Sequence, residues 1–209
     1  MTNGSRQERA RLVLMERLDD PGLGDDALMA AVAAGSRAAF ARLFERHGSA
    51  AWRLAFRLAG DAGDAEDLVQ EGFARLWAQA PRWQAGQAGV AAFLTRVVTN
   101  LAIDRSRRKR PQPMADLPDD PDPAPLADAV LAEADTARRI QLCVAALPER
   151  QRAAIVLTYW EGLTGPMAAE TLSLSPKAFE SLLIRARAAL KGVMAAAGLS
   201  AADLPGDLA

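Results

Sequence analysis

Five of the six residues at positions 105–110 are basic (Arg105, Arg107, Arg108, Lys109 and Arg110). Cations suit the C-terminal end of a helix, but five exceed what a helix end requires, and such a cluster points to the phosphates of a nucleic acid. Arg96 and Asn100 stand upstream. Offsets of four and eleven residues bring Arg96, Asn100 and Arg107 to one face of a helix, with Asp104 beside them. Before that helix lies the loop APRWQAGQAG, positions 80–89. Its Trp83, with Phe93, could form an apolar wall, and Arg82 and Gln84 could supply hydrogen bonds; that is a surface for an unstacked base, or simply a well-packed turn. Covalent chemistry finds no matching set. His47 is the only histidine and Cys143 the only cysteine, so neither a Ser/His/Asp set, a metal cluster nor an intrachain disulfide is expected, and no Gly-rich phosphate loop is present. Asp67 and Glu71 are a carboxylate pair without a partner histidine. The expectation is no enzyme, no cofactor and no metal.

These residues need helices to hold them. Asp64 is a candidate N-cap for a helix with Glu66 and Asp67 in its first turn. Ala65, Leu68, Val69, Phe73, Leu76 and Trp77 follow at helical spacing as a buried stripe. The opposite face carries Asp67, Gln70, Glu71 and Arg75, which on spacing alone is a solvated surface or a docking face. After the loop, Phe93, Leu94, Val97, Val98, Leu101 and Ala102 form a second apolar stripe. Upstream, Asp25 or Asp26 can cap a short helix through Ala34. Gly35–Ser36 is a stop and a new cap for a helix over 36–59, with Phe40, Leu43, Phe44, Ala51, Leu54, Ala55 and Leu58 in register. His47 lies on that stripe and reads as a locally bonded boundary residue.

Residues 111–125 hold six of the twelve prolines, interleaved with aspartates. Missing donors and like-charge repulsion make this an extended linker. Beyond it, a helix from about 128 runs through Ala146, and the next, 148–160, starts with Pro148 at its first position and stops at Gly162. Thr164 can cap a short helix through Leu172. Ser173–Leu174–Ser175 is a tight turn, and Ser175–Pro176 starts the last helix. Short helix, tight turn and longer helix is the helix-turn-helix layout. In the last helix Phe179, Leu183, Ala186, Leu190 and Val193 are expected to face inward, and Lys177, Ser181, Ile184 and Arg185 outward.

Composition bounds the rest. A chain of 209 residues, half of them hydrophobic and a quarter charged, is a soluble globular type. No apolar run nears the roughly 20 residues of a membrane helix, and the block after Arg6, Arg9 and Arg11 is too short for a signal peptide, so a cytoplasmic protein is expected. The formal net charge of −1 argues against nucleic acid until its distribution is considered. Positions 116–135 hold seven acidic residues and no basic one, against the basic cluster at 105–110. Separate surfaces for separate partners follow. The expected organisation is all-α: a mobile extension at 1–24, a helical domain at 25–110, a linker at 111–127, a helix-turn-helix domain at 128–195, and a fraying tail at 196–209.

The motifs DAEDLVQEGFARLW (64–77), the Phe93–Leu94 pair and VTNLAIDRSRRKR (98–110) resemble the promoter-melting domain of bacterial RNA polymerase sigma factors of the extracytoplasmic-function (ECF) type, within the sigma-70 family. The stretch at 147–190, LPERQRAAIVLTYWEGLT followed by LSLSPKAFESLLIRARAAL, is similar to the domain with which that family reads the −35 element. With the linker between them, the resemblance covers most of the chain. It implies that Asp67, Gln70, Glu71 and Arg75 meet the coiled coil of the polymerase's largest subunit. It implies −10 contacts through Arg82, Trp83, Gln84, Phe93, Arg96, Asn100, Arg105, Arg107 and Arg108, the loop capturing a base flipped from the nontemplate strand. It implies −35 contacts through Lys177, Glu180, Ser181, Arg185 and Arg187. Core polymerase, promoter DNA and an anti-sigma protein are the implied partners. The sequence departs from the family at Ser173, where glycine is usual, at Glu180 and Leu182, where basic residues are usual, and at Gly165–Pro166. These departures bear on which −35 letters are read. A stand-alone helix-turn-helix regulator, and a sigma mimic that sequesters an anti-sigma protein, are the alternatives.

Overall fold

A computed structural model of the chain describes residues 22–86, 88–108 and 128–200, with side chains from residue 136 in the last stretch. The expected linker, Lys109 and Arg110, most of the N-terminal extension and the end of the tail lie outside the described residues. Among those described there are eight α-helices and no strand, the all-α class expected. In chain order they are α1 (Asp25–Ala33), α2 (Arg37–Ala59), α3 (Ala62–Gln79), α4 (Val90–Arg108), α5 (Asp128–Ala145), α6 (Glu149–Tyr159), α7 (Gly165–Thr171) and α8 (Pro176–Ala196), with a 3-10 turn at Ala80–Arg82.

Local chemistry sets most boundaries. The Ser36 hydroxyl caps α2 by accepting from the Ala39 amide at 3.2 Å, and Gly60 ends it at φ +78°, a conformation that favours glycine. The cap of α3 is Asp61, whose Oδ1 accepts from the Asp64 amide at 2.8 Å, rather than Asp64. Asp64 sits one turn inside, and its carboxylate pairs with Arg105 at 2.8 Å. Nor does either first aspartate cap α1, which begins after Gly24 without a side-chain cap. Asp25 and Asp26 are engaged with α2 and the 80–89 loop instead. Pro148 likewise stands just before α6 rather than as its first residue.

α2, α3 and α4 pack as a bundle around Leu43, Leu54, Leu68, Leu76, Val90 and Val98, all nearly or fully buried. Gly72 permits close approach of α3 and α4, since a Cβ there would stand 3.1 Å from Val98 Cγ2. Two expectations fail on this bundle. Phe44 and Trp77, placed in buried stripes by spacing, are 49% and 36% exposed, because they edge a groove between α2 and α3 that no described element covers. On α4 the buried set is Val90, Leu94, Val98, Thr99, Ala102 and Ile103. Phe93, Val97 and Leu101 are half-buried, so the helix is turned relative to the stripe read from spacing.

In the second half, α6 buries five successive residues, Ala153 to Leu157. A helix apolar all round is one with neighbours all round, and α6 contacts α5, α7 and α8 as well as α2 and α4. α7 and α8 form the helix-turn-helix. Ser173 between them takes φ +53°, the left-handed region where the family's usual glycine would carry no Cβ penalty. Ser175 caps α8 by accepting from the Ala178 amide at 3.2 Å, with Pro176 in the first turn. α8 buries Phe179, Leu182, Ala186, Leu190 and Met194. Leu183 and Val193 are only half-buried, a rotation of about one residue from the expected register, so Leu182 serves the core. Nor does the tail fray at 196. The Ala197 carbonyl accepts from Arg139 Nη2 at 2.6 Å, Gly198 takes φ +69° and Leu199 is buried.

The two halves meet at the C-terminal end of α2, where helix carbonyls lack intrahelical donors. Gln141 Nε2 donates to the Phe56 and Arg57 carbonyls at 3.2 and 3.3 Å, and Arg152 Nη1 donates to the Leu58 carbonyl at 2.5 Å. Beside them the Arg57 guanidinium lies over the Trp160 ring at 5.9 Å and 3.7 Å from Glu161. Burial raises the Glu161 carboxyl above its ordinary value and lowers the Arg57 guanidinium below its own. Desolvation of both groups therefore outweighs their mutual attraction at that distance.

Candidate nucleic-acid interface

Trp83 follows the 3-10 turn and is held from two sides. Its indole N–H donates to Asp26 Oδ1 at 2.8 Å, and its ring meets Phe93 edge-on at 5.9 Å. The other oxygen of Asp26 accepts from the Gly86 amide at 3.1 Å, and Gly86 itself takes φ +80°. One carboxylate thus ties two points of the loop, Trp83 and Gly86, to α1. The Arg96 guanidinium lies 6.0 Å from the Phe93 ring centre, continuing the aromatic surface into cationic surface. Arg82 and Gln84 are exposed on the same loop.

The two hydrogen bonds, the indole's first and the Gly86 amide's second, hold the Asp26 carboxyl below its ordinary 3.8. For a carboxyl lowered in the folded state, the stabilisation is complete above the unfolded value and is lost as pH falls through the folded one. The loop tether should therefore hold at neutral pH and release only in acid below the ordinary carboxyl value of 3.8. Following the Trp83 indole N–H by NMR against pH should show this, and Asp26→Asn should remove the acid transition. A resonance unmoved by acid would mean that Asp26 does not hold the loop.

On α4, Arg96, Asn100 and Arg107 share the face that their spacing implies. Arg96 is exposed, Asn100 half-buried and Arg107 exposed, with Arg107 Nε 3.7 Å from Glu149 Oε1 in the second half. Arg108 is exposed beyond them. Arg105 points elsewhere. It reaches Asp64 and Asp67 on α3, both at 2.8 Å, and the bond to Asp67, ahead of the opposing desolvation, raises its guanidinium above the ordinary range. Asp67 is thus tied to α4, whereas Glu71 pairs along α3 with Arg75 at 2.9 Å. Gln70 is exposed on the adjoining strip of α3, where it lines the groove shared with α2. His47 sits 2.7 Å from Asp25 Oδ2, as a locally bonded boundary residue should.

On α8, Lys177, Glu180, Ser181, Arg185 and Arg187 are all exposed. The Ser181 hydroxyl donates to the Lys177 carbonyl at 3.0 Å, and Arg185 Nε donates to the Ser181 carbonyl at 3.2 Å. Arg187 donates to the Tyr159 hydroxyl with its guanidinium 5.4 Å from that ring. Glu180 and Lys177 flank a shallow depression closed by Gly165 and Pro166 at the start of α7, so the two departures at Glu180 and at Gly165–Pro166 face one another. Sequence reading missed Asp26, Glu149 and Tyr159 as partners. Each acts across at least 28 positions, where helical periodicity carries no signal.

Comparison with known proteins identifies the family of both halves. The sigma-70 region 2 family matches residues 43–112, and the sigma-70 region 4 family matches residues 137–190. The ECF RNA polymerase sigma factor SigM of Mycobacterium tuberculosis is 35% identical over 166 residues, covering 79% of this chain and 82% of SigM. The ECF sigma factor SigE of Mycolicibacterium smegmatis is 33% identical over 157 residues, covering 73% of this chain but 60% of SigE. Among solved structures, CnrH in complex with the cytosolic domain of CnrY superposes with a TM-score of 0.59 at 30% identity, over 82% of this chain and 97% of CnrH. With its region 2 and region 4 segments in this order, the chain belongs to the ECF family of RNA polymerase sigma factors.

Proposed function

We propose that the chain joins core RNA polymerase, opens the −10 element with its first half and reads the −35 element with its second, initiating transcription of a stress or envelope-response regulon. The observation that carries this is the pairing, in one chain, of region 2 and region 4 with basic and aromatic side chains at the surface of both. The exposed face of α3, with Gln70, Glu71, Arg75 and Asp67, is assigned to the polymerase. The Trp83 loop and the Arg96–Asn100–Arg107 face, with Arg82, Gln84, Phe93, Arg105 and Arg108, are assigned to melted −10 DNA. An anti-sigma protein is assigned as inhibitor, as the family resemblance implies; the similar CnrH was solved in complex with the cytosolic domain of CnrY. The domains fall at 25–110 and 128–195, with a linker between.

A stand-alone regulator would bind duplex DNA by itself. A sigma factor with a net charge of −1 should bind weakly alone and form specific, heparin-resistant complexes with core polymerase. Glu71→Lys tests the polymerase face, because it reverses a charge on an exposed helix while leaving the core untouched. Affinity for core polymerase should fall about tenfold, roughly 1.4 kcal/mol, with circular dichroism unchanged. Unaltered affinity would return this face to plain solvated surface.

The start of α8 is assigned to base edges and its middle to phosphates, since the N-terminal residues of a recognition helix enter the major groove. Lys177, Glu180 and Ser181 are the base readers, with Arg185 and Arg187 on the backbone. Glu180 can accept from a cytosine amino group. Glu180→Lys should therefore change the preferred −35 letter, by roughly 1–3 kcal/mol at one position, in a promoter-library selection. Equal strengthening of every promoter would mean that Glu180 reads no base.

A further inference from the structure

We propose that Arg46 and His47 of α2 are positioning residues for the Trp83 loop, acting through the first turn of α1. That turn opens with two adjacent carboxylates, and successive residues of a helix point in directions about 100° apart. Asp25 turns to α2: its Oδ1 accepts from Arg46 Nη1 at 2.5 Å, and its Oδ2 lies 2.7 Å from His47 Nε2. Asp26 turns to the loop, accepting from the Trp83 indole at 2.8 Å and from the Gly86 amide at 3.1 Å. All four carboxylate oxygens are engaged. The start of α1 is therefore a strut between a long helix and the loop.

The strut depends on α2 for its position. The buried residues of α1 are Leu28, Met29, Ala31 and Val32, so the core fixes the helix only from its fourth residue onward. Gly24 precedes α1 and supplies no side-chain cap, and a helix start without a cap leaves its first amides unpartnered. Asp26 itself is exposed. Arg46 offsets this by gripping the chain on both sides of Gly24. Its Nη1 holds Asp25, and its Nη2 donates to the Leu23 carbonyl at 2.9 Å. His47, with a side chain only 14% exposed, holds the other oxygen of Asp25 from the next position of α2.

The consequence falls on Trp83. Its ring has two supports, the edge of Phe93 and the carboxylate of Asp26. The Phe93 contact alone permits the indole to swing; the hydrogen bond to a fixed Asp26 sets its direction. α1 also packs against the 3-10 turn that opens the loop, so the two elements move together. Arg46 and His47 bond to Asp25 and Leu23 and not to the loop, and their influence on Trp83 passes through one backbone step, Asp25 to Asp26. The bearing of this strut on promoter melting rests on the assignment of the loop to −10 DNA made above. The positioning of Trp83 does not.

The test uses the full chain carrying Arg46→Ala and His47→Ala together. The NMR resonance of the Trp83 indole N–H, identified by its loss in Trp83→Phe, should move towards its position in Asp26→Asn. The Gly86 amide should exchange with solvent severalfold faster, while the amides of α3 and α8 keep their rates. Asp25→Asn, which leaves the shape of the side chain almost unchanged, should loosen the loop in the same way. Arg46→Lys with His47→Gln keeps a donor on each side of Asp25 and should restore both signals. An indole resonance and a Gly86 exchange rate unaffected by the double alanine substitution would overturn the proposal. So would exchange quickened throughout α2 and α3, because the pair would then serve the fold as a whole. With core polymerase added, permanganate reactivity of the −10 bubble should fall severalfold in the double alanine variant. A loosened loop with undiminished reactivity would leave the strut standing and overturn the loop's assignment to melted DNA.

Discussion

Replacing Arg152 by methionine is expected to lower the stability of the folded chain by about 2–4 kcal/mol, the cost of leaving several buried acceptors without donors. Arg152 Nη2 donates to the Ala145 and Leu147 carbonyls, and Nη1 donates to the Leu58 carbonyl across the junction of the two halves. The guanidinium is largely buried, and that burial, only partly offset by Glu149, lowers its proton affinity. Methionine fills similar apolar space but donates nothing, so three carbonyls at helix ends lose their partner. Urea denaturation should show a lower midpoint. If the midpoint is unchanged, water replaces the guanidinium and the junction does not depend on it.

The same substitution has a functional corollary. The −10 and −35 labels place the two elements about 25 base pairs apart, roughly 85 Å at 3.4 Å per step. Halves joined through Arg152, Gln141 and the Arg57–Glu161 pair must separate to engage both elements at once. Loss of Arg152 is thus expected to destabilise the free chain more than its complex with polymerase and promoter.

The second large effect is expected at Trp83. If a flipped base rests on the surface that Trp83, Phe93 and Arg96 build, Trp83→Ala should cost about 1–3 kcal/mol, a loss of up to about a hundredfold in open complex. Permanganate reactivity of the −10 bubble should fade while −35 protection persists. Because the indole N–H is also bonded to Asp26, two comparisons separate stacking from packing. Trp83→Phe keeps a ring and loses the hydrogen bond, so it should restore much of the melting. Asp26→Asn weakens the tether while leaving the ring in place. Should Trp83→Ala reduce −10 and −35 signals equally, the residue serves the fold and does not hold a base.

How much of this was legible in the sequence depends on distance along the chain. The Ser36 and Ser175 caps and the stop at Gly60 rest on contacts within four residues, and spacing located them. So did the helix-turn-helix and the shared face of Arg96, Asn100 and Arg107. Burial was read less well. Phe44 and Trp77 have helical spacing and apolar side chains, yet spacing states only which face they share, not whether another element covers it. The stripe of α4 was misjudged for a related reason, because Val90 and Ile103 are buried by neighbours distant in sequence. Asp26 looked like a helix cap because its local context is that of one; its partners, Trp83 and Gly86, lie 57 and 60 positions away. Arg152 drew no reading from the sequence, and only the junction of the two halves, where it reaches the Leu58 carbonyl, gives it a role.

Run-off transcription with purified core polymerase on a genomic promoter pool tests the account most directly. Addition of the chain should yield transcripts from a limited set of promoters sharing −10 and −35 elements at fixed spacing. The yield should fall with Glu71→Lys and with Trp83→Ala, and the preferred −35 letter should change with Glu180→Lys. Specific binding of the chain to duplex DNA without polymerase, and no promoter-specific transcript with it, would contradict the account.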